Sequence, residues 1–465
     1  MNKTYDSLII GTGQAGPTLA SRLAADGLKT AIVERKLFGG TCVNVGCTPT
    51  KTMVASARAA YVARRAAEFG VVIDGPVRVD MKRVKLRKDD VVRRSNEGVE
   101  KWLKNTRNLT VYEGHARFES PNQVRVGDDL LTADRIFINV GTRPVVPDIP
   151  GVGDVDILTS SDMMDIDFLP EHLVVIGGSY IGLELGQMFR RFGSKVTIVE
   201  MKPRLIARED EDVSLAVHGI LESEGVDLRL DAKCIALARD GDGVKVTVDC
   251  EDSEPDILGS HVLLAVGRQP NTDDLGVDKA GIAVNKRGYI QVNDELMTNV
   301  PNIWALGDAN GEGAFTHTSY NDHEIVADNL LNNDTRRLSD RIPTYGLFID
   351  PPLGRVGMTE AQARESGREV LVGKRLMTRV SRAVEKGETQ GFIKVMVDAN
   401  TREILGAAIL GVGGDEAIHS IVDVMYAKAP YTVITGAVHI HPTVSELIPT
   451  TLGDLKPLAA KTGAK

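Results

Sequence analysis

The chain has 465 residues, 42% of them hydrophobic, with 46 glycines, 5% aromatics and a formal net charge of −9 at pH 7, a composition that suits a multidomain globular protein of the α/β nucleotide-binding kind. The acidic balance leaves no electrostatic footprint for nucleic acid, and no apolar run approaches the roughly eighteen residues needed to span a bilayer. A strand begins within four residues of the N-terminus and leaves no room for a signal peptide, so the chain is expected in the cytoplasm, bound to neither nucleic acid nor membrane.

Tyr5 to Ile10 reads as a buried strand, followed at once by Gly11-Thr12-Gly13-Gln14-Ala15-Gly16 and by Leu19, Ala20, Leu23 and Ala24 at helical spacing. Gly27 ends the helix, Lys29 to Val33 form a second strand, and Glu34 closes it 23 residues after Gly11. Glycines at 11, 13 and 16 let the backbone approach a pyrophosphate whose charge meets the helix N-terminus, and a carboxylate at Glu34 accepts from ribose hydroxyls. Strand, turn, helix and acid in this order predict a dinucleotide site.

Next, Gly39 to Cys47 places two of the four cysteines, Cys42 and Cys47, five residues apart. A structural disulfide gains little from closing so short a loop. A zinc site needs two further ligands at matching spacing, so no metal site is predicted. In a reducing compartment a close pair of this kind points to redox catalysis. The basic pairs Lys82-Arg83, Arg87-Lys88 and Arg93-Arg94 alternate with acids and are expected on the solvated face of a helix.

The first pattern then recurs. Arg135 to Pro144, with Gly141, reads as a strand returning into the first module. Leu173 to Gly182 repeats strand and turn, with Gly177, Ser179 and Gly182 at the three glycine positions, and Lys195 to Val199 ends in Glu200. Ser179 in the middle position keeps the backbone further from the phosphates, so the second site is expected to be looser, as suits a cofactor that comes and goes. His261 to Arg268, with Gly267, mirrors the segment at 135–144 and marks an internal duplication. Between them, Ile235 to Val248 forms a predicted hairpin about Asp240-Gly241-Asp242-Gly243. Cys234 and Cys250 flank it and are expected as reduced thiols rather than a cross-strand bond. Asn302 to Asp308 is a further apolar strand ending in Gly-Asp.

This order of motifs resembles the flavoprotein disulfide reductases, the group of glutathione reductase, dihydrolipoyl dehydrogenase and mercuric reductase. The resemblance rests on the first glycine module, Cys42 and Cys47 with Lys51 four residues on, the second glycine module, the Gly307-Asp308 strand and a terminal His441-Pro442-Thr443-Val444-Ser445-Glu446. Gly46 to Lys51 and Asp350 to Glu360 look most like the mercuric-reductase-like branch, which includes the copper-reducing enzyme of bacterial reactive-chlorine resistance. The resemblance implies a homodimer with two Rossmann-like domains, an FAD-binding domain over 1–150 and an NAD(P)-binding domain over 151–270. A central segment over 271–338 completes the FAD site, and an α+β dimerisation domain covers 339–465. It further implies that Asp308 binds the flavin ribityl chain, that Tyr180 gates the nicotinamide pocket, and that Lys51 and Glu184 lie near the reactive flavin nitrogen. Cys47 is then the flavin-facing sulfur and Cys42 the interchange thiol. A helix starting near Thr316 points its N-terminus at the flavin.

Thiol chemistry needs a group to take up and return a proton. His441, with Glu446 to fix its tautomer, is the candidate in this family context. Glu200 accepts from a free 2′-hydroxyl and repels a 2′-phosphate, which argues for NADH. Met201 and Ala207 stand where NADPH users place arginines, while Lys202 and Arg204 leave room for NADPH. The expected acceptor is small: a metal ion such as Hg(II) or Cu(II), or an oxidised sulfur species. Residues 451–460 hold no cysteine pair of the kind typical mercuric reductases carry. Dihydrolipoyl dehydrogenases usually have Ile-Pro-Ser where this chain has Thr48-Pro49-Thr50, so lipoamide is the second choice. A flavin-containing redox sensor or binding protein without turnover is the alternative of another class.

Overall fold

A computed structural model describes residues 2–233, 235–248 and 256–459, and strand counts refer to those residues. The apolar run through Leu8, Ile9 and Ile10 is buried on both sides, as are Ala31 to Val33 and Ile136 to Ile138. Runs of that kind belong in a parallel sheet covered on both faces. The strands Leu109–Glu113, Thr30–Glu34, Asn2–Ile10 and Asp129–Ile138 lie parallel in that order, and Ile303–Ala305 adds beside the last. Gln123–Val126 and Ala116–Ser120 extend the sheet antiparallel. Ile9, Ile32 and Phe137 pack under Leu19 and Leu23 of the helix Ala15–Ala25 and Val326 of the helix Thr316–Leu331. Leu8, Ile10 and Val33 face the other way, toward Phe118 and Val124.

The second module repeats this path. Asp227–Arg229, Lys195–Val199, His172–Ile176 and His261–Leu264 are parallel in that order, with Ile157–Thr159 at the far edge. Each module also carries an antiparallel meander, here Ile235–Asp240, Gly243–Val248 and Asp256–Gly259. The hairpin expected at 235–248 is therefore present, whereas Cys234 and Cys250 lie outside the described residues. The two strand returns do not run on to Pro144 and Arg268. The chain leaves each sheet after Ile138 and Leu264, and Thr142–Pro144 pairs antiparallel with Arg268–Pro270 in a separate ribbon that joins the modules.

The last unit is α+β, as expected. Thr344–Leu347, Leu353–Gly357, Ile404–Leu410, Phe392–Asp398, Val370–Leu376 and Lys456–Pro457 form an antiparallel sheet in that order. Ile421 and Leu452 of the flanking helices bury against Ile393, Val395 and Ile409. No helix among the described residues is long and apolar enough to cross a membrane.

One expectation needs correction. The helix Met81–Asn105 exposes Lys82, Arg83, Arg87, Arg93 and Arg94, but Lys88 is buried at 3% exposure and its ammonium rests on Asp89. Lys88 lies two turns beyond the buried Met81, on the face that packs inward, so position on the helix overrides the charge pattern.

Buried charges also tie the second module to the C-terminal sheet. Lys394, 1% exposed, sets its Nζ 2.8 Å from Asp210, 2.6 Å from Asp212 and 2.8 Å from Glu360. These three carboxylates form a cluster that could hold a metal, and the lysine ammonium already supplies its positive charge. Lys394→Ala is expected to destabilise the protein by about 3 kcal/mol, near the low end for a broken buried pair because two of the acids keep some solvent contact. The denaturant midpoint of the variant checks this, and a loss below about 0.5 kcal/mol would contradict it.

Candidate active site

The site is built on backbone contacts that only glycine permits. Gly11 has φ +105°, and a Cβ there would stand 2.3 Å from the carbonyl oxygen of Asn139. A Cβ on Gly16 would stand 2.3 Å from the oxygen of Gly11, so the helix Ala15–Ala25 begins directly against the turn. At the end of the neighbouring strand, Glu34 Oε2 accepts from the Thr12 backbone N–H (3.0 Å) and hydroxyl (2.6 Å). The second turn repeats the contact: Glu200 Oε2 accepts from the Gly178 N–H at 2.7 Å, and Oε1 from the Lys202 N–H at 2.9 Å. A Cβ on Gly182 would stand 2.0 Å from the Gly177 oxygen.

A cavity of about 1060 Å³ opens from the first turn. Gly11, Gly13, Glu34, Cys42, Cys47, Lys51, Gly141, Tyr180, Glu184 and Asp308 all line it. Gly16 packs beneath the turn, while Gly177, Gly182, Glu200 and Gly267 belong to the second turn, outside this cavity. The helix Tyr180–Phe192 bridges the two places, because it starts in the second turn and presents Tyr180 and Glu184 to the cavity. The Glu184 carboxylate accepts from Lys51 Nζ at 2.6 Å and from the Phe348 N–H at 2.9 Å. Asp308 accepts from the Thr142 hydroxyl at 2.8 Å, which in turn accepts from Arg268 Nε at 2.8 Å.

Cys42 sits in the short helix Gly40–Asn44, and Cys47 is the first residue of the helix Cys47–Arg64, where the helix dipole favours a thiolate. Both are free thiols. The Cys47 thiol is lowered to about 6, first by the hydrogen bond with Cys42, then by the Thr316 hydroxyl 3.2 Å away and by the charge of Lys51, against burial and Glu184. Cys42 is pushed well above the usual thiol range, first by the same hydrogen bond and then by burial. Because Lys51 and Glu184 act on Cys47 in opposite senses, hydrogen bonding rather than net charge decides the shift. The pair is thus unequal: Cys47 is the sulfur that gives up its proton more readily and Cys42 the one that keeps it. Thr316 is a functional residue that motif reading missed, since its chain position near a helix start carries no sign of contact with sulfur.

His441 and Glu446 are not in this cavity. His441 Nδ1 lies 3.0 and 2.9 Å from the two oxygens of Glu446, and the imidazole is 74% exposed. A carboxylate can only accept, so Nδ1 carries the proton and Nε2 presents a lone pair to the outside. The protomer thus assembles the pair but does not bring it to the cysteines.

Residues 5–322 match the family model for pyridine nucleotide-disulphide oxidoreductases, and residues 343–452 match that family's dimerisation domain. The chain belongs to the pyridine nucleotide-disulphide oxidoreductases. It is similar to the probable pyridine nucleotide-disulfide oxidoreductase RclA of Escherichia coli K12, with 38% identity over 455 residues covering 96% of this chain and 98% of that protein. A dihydrolipoyl dehydrogenase of Haloferax volcanii is 34% identical over 452 residues, covering 95% and 94%. Among solved structures, the Cu(II) complex of the HOCl-induced flavoprotein disulfide reductase RclA from Escherichia coli matches with a TM-score of 0.88 and 37% identity, over 97% of this chain and 99% of that one. The oxidoreductase family uses FAD and NAD(P)H, and the residues present fit such a group: a glycine cradle that any Cβ would fill, an acid closing each turn, and one cavity running from the first turn to the sulfurs. Family membership sets aside the sensor without turnover.

In the oxidoreductase variant Cys42→Ser, the long-wavelength charge-transfer absorbance of Cys47 is expected at neutral pH. A lowered pKa means the thiolate persists above about 6 and is lost as pH falls through that value. Serine keeps a hydroxyl donor, so the midpoint should stay within about a unit of 6. A pH titration of the band checks this, and a band found in Cys47→Ser but absent from Cys42→Ser would reverse the two roles.

Proposed function

We propose that the enzyme passes electrons from NADH through FAD to the Cys42–Cys47 pair, and from there to a small acceptor: Cu(II), Hg(II) or an oxidised sulfur species. The observation that carries this is the pair of free sulfurs lining one cavity beside Lys51–Glu184, with Cys47 at a helix start and lowered while Cys42 is raised. In this reading Gly11, Gly13, Gly16, Glu34, Gly141 and Asp308 hold FAD, with Lys51 and Glu184 beside its reactive ring. Gly177, Tyr180, Gly182, Glu200 and Gly267 receive the nicotinamide nucleotide. The division at 1–150, 151–270, 271–338 and 339–465 goes with these roles. FAD, when bound, supplies a two-electron relay between hydride donors and thiols.

Cys42 is the sulfur that meets the acceptor, and as a thiol it has to lose a proton first. We assign that proton to His441 Nε2, oriented by Glu446 and supplied by a second copy of the chain in a homodimer. The dimerisation domain, the 74% exposure of His441 and the exposed apolar neighbours Val438 and Ile440 support this arrangement. Two thiols reducing two Cu(II) ions leave a disulfide, two Cu(I) and two protons, and soft thiolates favour Cu(I) and Hg(II) as partners. The Cu(II) complex of the similar Escherichia coli protein supports copper among these acceptors. Lipoamide is the second reading, favoured by the likeness to a dihydrolipoyl dehydrogenase. A working dithiol and reduced nicotinamide suit the cytoplasm.

The test is steady NADH oxidation by the yellow, FAD-loaded protein with Cu(II), Hg(II), lipoamide, glutathione disulfide and hypothiocyanite offered separately. Turnover fastest with lipoamide would replace the metal reading. His441→Ala is expected to lower acceptor turnover by roughly 10²–10⁴, the contribution of a positioned acid-base group, with flavin reduction by NADH nearly unchanged. Wild-type turnover in that variant would leave His441 a structural role.

The Glu200 carboxylate is pinned by two backbone donors, and Arg204 is turned to the Ala207 carbonyl at 3.2 Å. A 2′-phosphate beside Glu200 is thus opposed without a poised arginine. NADH is expected to exceed NADPH by at least about tenfold in kcat/KM, the equivalent of roughly 1.4 kcal/mol. A ratio near one with a fixed acceptor would show that Lys202 and Arg204 outweigh the carboxylate.

A further inference from the structure

One buried carboxylate has no part in the chemistry above. Glu209 is 2% exposed, and its Oε1 accepts from two phenols at once, Tyr180 at 3.0 Å and Tyr345 at 2.5 Å. Its Oε2 has no hydrogen-bond partner, nor has Nε of the fully buried Arg355, and the two stand 3.9 Å apart. The rest of the Arg355 guanidinium is occupied by Asp210 at 3.2 Å and by the Met358 carbonyl at 2.6 Å. Burial and the Glu209 charge push both phenols up, so both remain donors. The Tyr180 ring stands edge-on to Phe315 and Tyr345, with centroids 6.2 and 5.8 Å away.

Tyr180 is the first residue of its helix, with the second glycine turn on one side and the cysteine cavity on the other. On the gate reading, a nicotinamide carried by a nucleotide at that turn enters the cavity as the phenol moves. We propose that Glu209 is a latch: a positioning residue whose carboxylate holds Tyr180 closed across the cavity until a nicotinamide displaces it. This rests on the reading of Tyr180 as the nicotinamide gate. Tyr345 is the fixed donor that keeps Glu209 in place through the swing. Arg355 is the partner that receives Oε2 when Tyr180 leaves, since a small turn of the carboxylate closes the 3.9 Å gap and satisfies two buried groups left unpaired in the closed state. Opening therefore exchanges one charge-assisted hydrogen bond for another, which makes the latch reversible rather than permanent.

A hydrogen bond to a charged group weights an equilibrium by roughly ten- to a hundredfold, and the gain at Arg355 offsets part of that. Apparent affinity for a ligand that needs the open form equals intrinsic affinity multiplied by the open fraction. Releasing the latch should tighten nucleotide binding without changing any contact to the nucleotide.

The test uses the FAD-loaded protein, with NAD⁺ affinity measured by calorimetry and the rate of flavin reduction followed against NADH concentration. Tyr180→Phe keeps the ring and the buried charges but removes the latching hydroxyl, so it does not put folding at risk. It is expected to lower the NAD⁺ Kd by roughly three- to tenfold, with KM for NADH falling in parallel. Glu209→Gln keeps an acceptor for the phenol but removes its charge, so it should lower the Kd by less, and the double variant should go no further than Tyr180→Phe, because both act on one interaction. Tyr345→Phe should leave the Kd within about twofold, since Tyr180 keeps its acceptor. An unchanged Kd in Tyr180→Phe, or additive effects in the double variant, overturns the latch. The gate is judged separately by Tyr180→Ala. If Tyr180→Ala shifts the Kd while Tyr180→Phe and Glu209→Gln do not, the gate stands and the latch falls. If Tyr180→Ala also leaves it unmoved, the gate reading fails.

Discussion

Everything at this site depends on one close approach of two backbones. Gly40, which opens the helix Gly40–Asn44, lies so near the first glycine turn that a Cβ on it would stand 2.8 Å from the Gly13 Cα, and its φ of +62° already favours glycine. Thr12 locks the contact, since its buried hydroxyl accepts from the Gly39 N–H at 3.1 Å and donates to Glu34 at 2.6 Å. One threonine thus joins the redox segment, the glycine turn and the acid that closes the turn. The sulfurs are placed against the turn by main chain rather than by adjustable side chains, which is the kind of support a reacting pair needs if distances are to hold within tenths of an ångström.

The same precision has to extend across the modules, and there charge does the work. Lys51 belongs to the helix Cys47–Arg64 and Glu184 to the helix Tyr180–Phe192 of the second module, 133 residues away in sequence. Their contact at 2.6 Å requires the two modules to sit in one alignment. That alignment is held further out by Arg191, 5% exposed, whose guanidinium spans Glu224 and Asp350, and by Arg58, which reaches Asp350 and Glu388 at 2.6 Å each. Buried ion pairs contribute little net stability compared with well-packed apolar residues. The Arg191 pairs and the buried carboxylates Glu184, Asp350 and Glu388 are intolerant of sliding, however, because a charge moved off its partner there is left poorly solvated. A seam made of them therefore defines position better than it adds stability, and position is what Lys51 and Glu184 need.

This division explains what was legible in the sequence. The turns at Gly11 and Gly177, the acids Glu34 and Glu200 and the Cys42/Cys47 spacing are local, because each function needs residue types at fixed offsets along one strand, turn or helix. The duplication was visible for the same reason, and the sheet orders of the two modules bear it out. Contacts between distant segments left no such trace. Lys51 and Glu184 were paired only through the resemblance, Thr316 was expected as a helix start but not as a partner of Cys47, and Tyr345 and Glu209 were not singled out at all, since a hydroxyl or a carboxylate looks alike in sequence whether it meets solvent or a buried partner. Lys88 shows the opposite failure. Its charge reads as solvated, but the helix phase set by Met81 turns it inward, where Asp89 balances it.

The divided placement of the acid-base group has a physical logic of its own. The hydrogen bond to Cys47 raises the Cys42 thiol, so in the proposed chemistry Cys42 waits for a base before it attacks an acceptor. In the proposed reading His441, kept on the dimerisation domain, takes the Cys42 proton from the acceptor side, with Glu446 rather than Glu184 beside it. In the proposed homodimer each copy then supplies the proton handling for the other's sulfurs, and a two-fold axis provides both such sites from one interface. On that proposal electron input needs only one chain and thiol exchange two, so the dimer contact would belong to the chemistry and not only to stability.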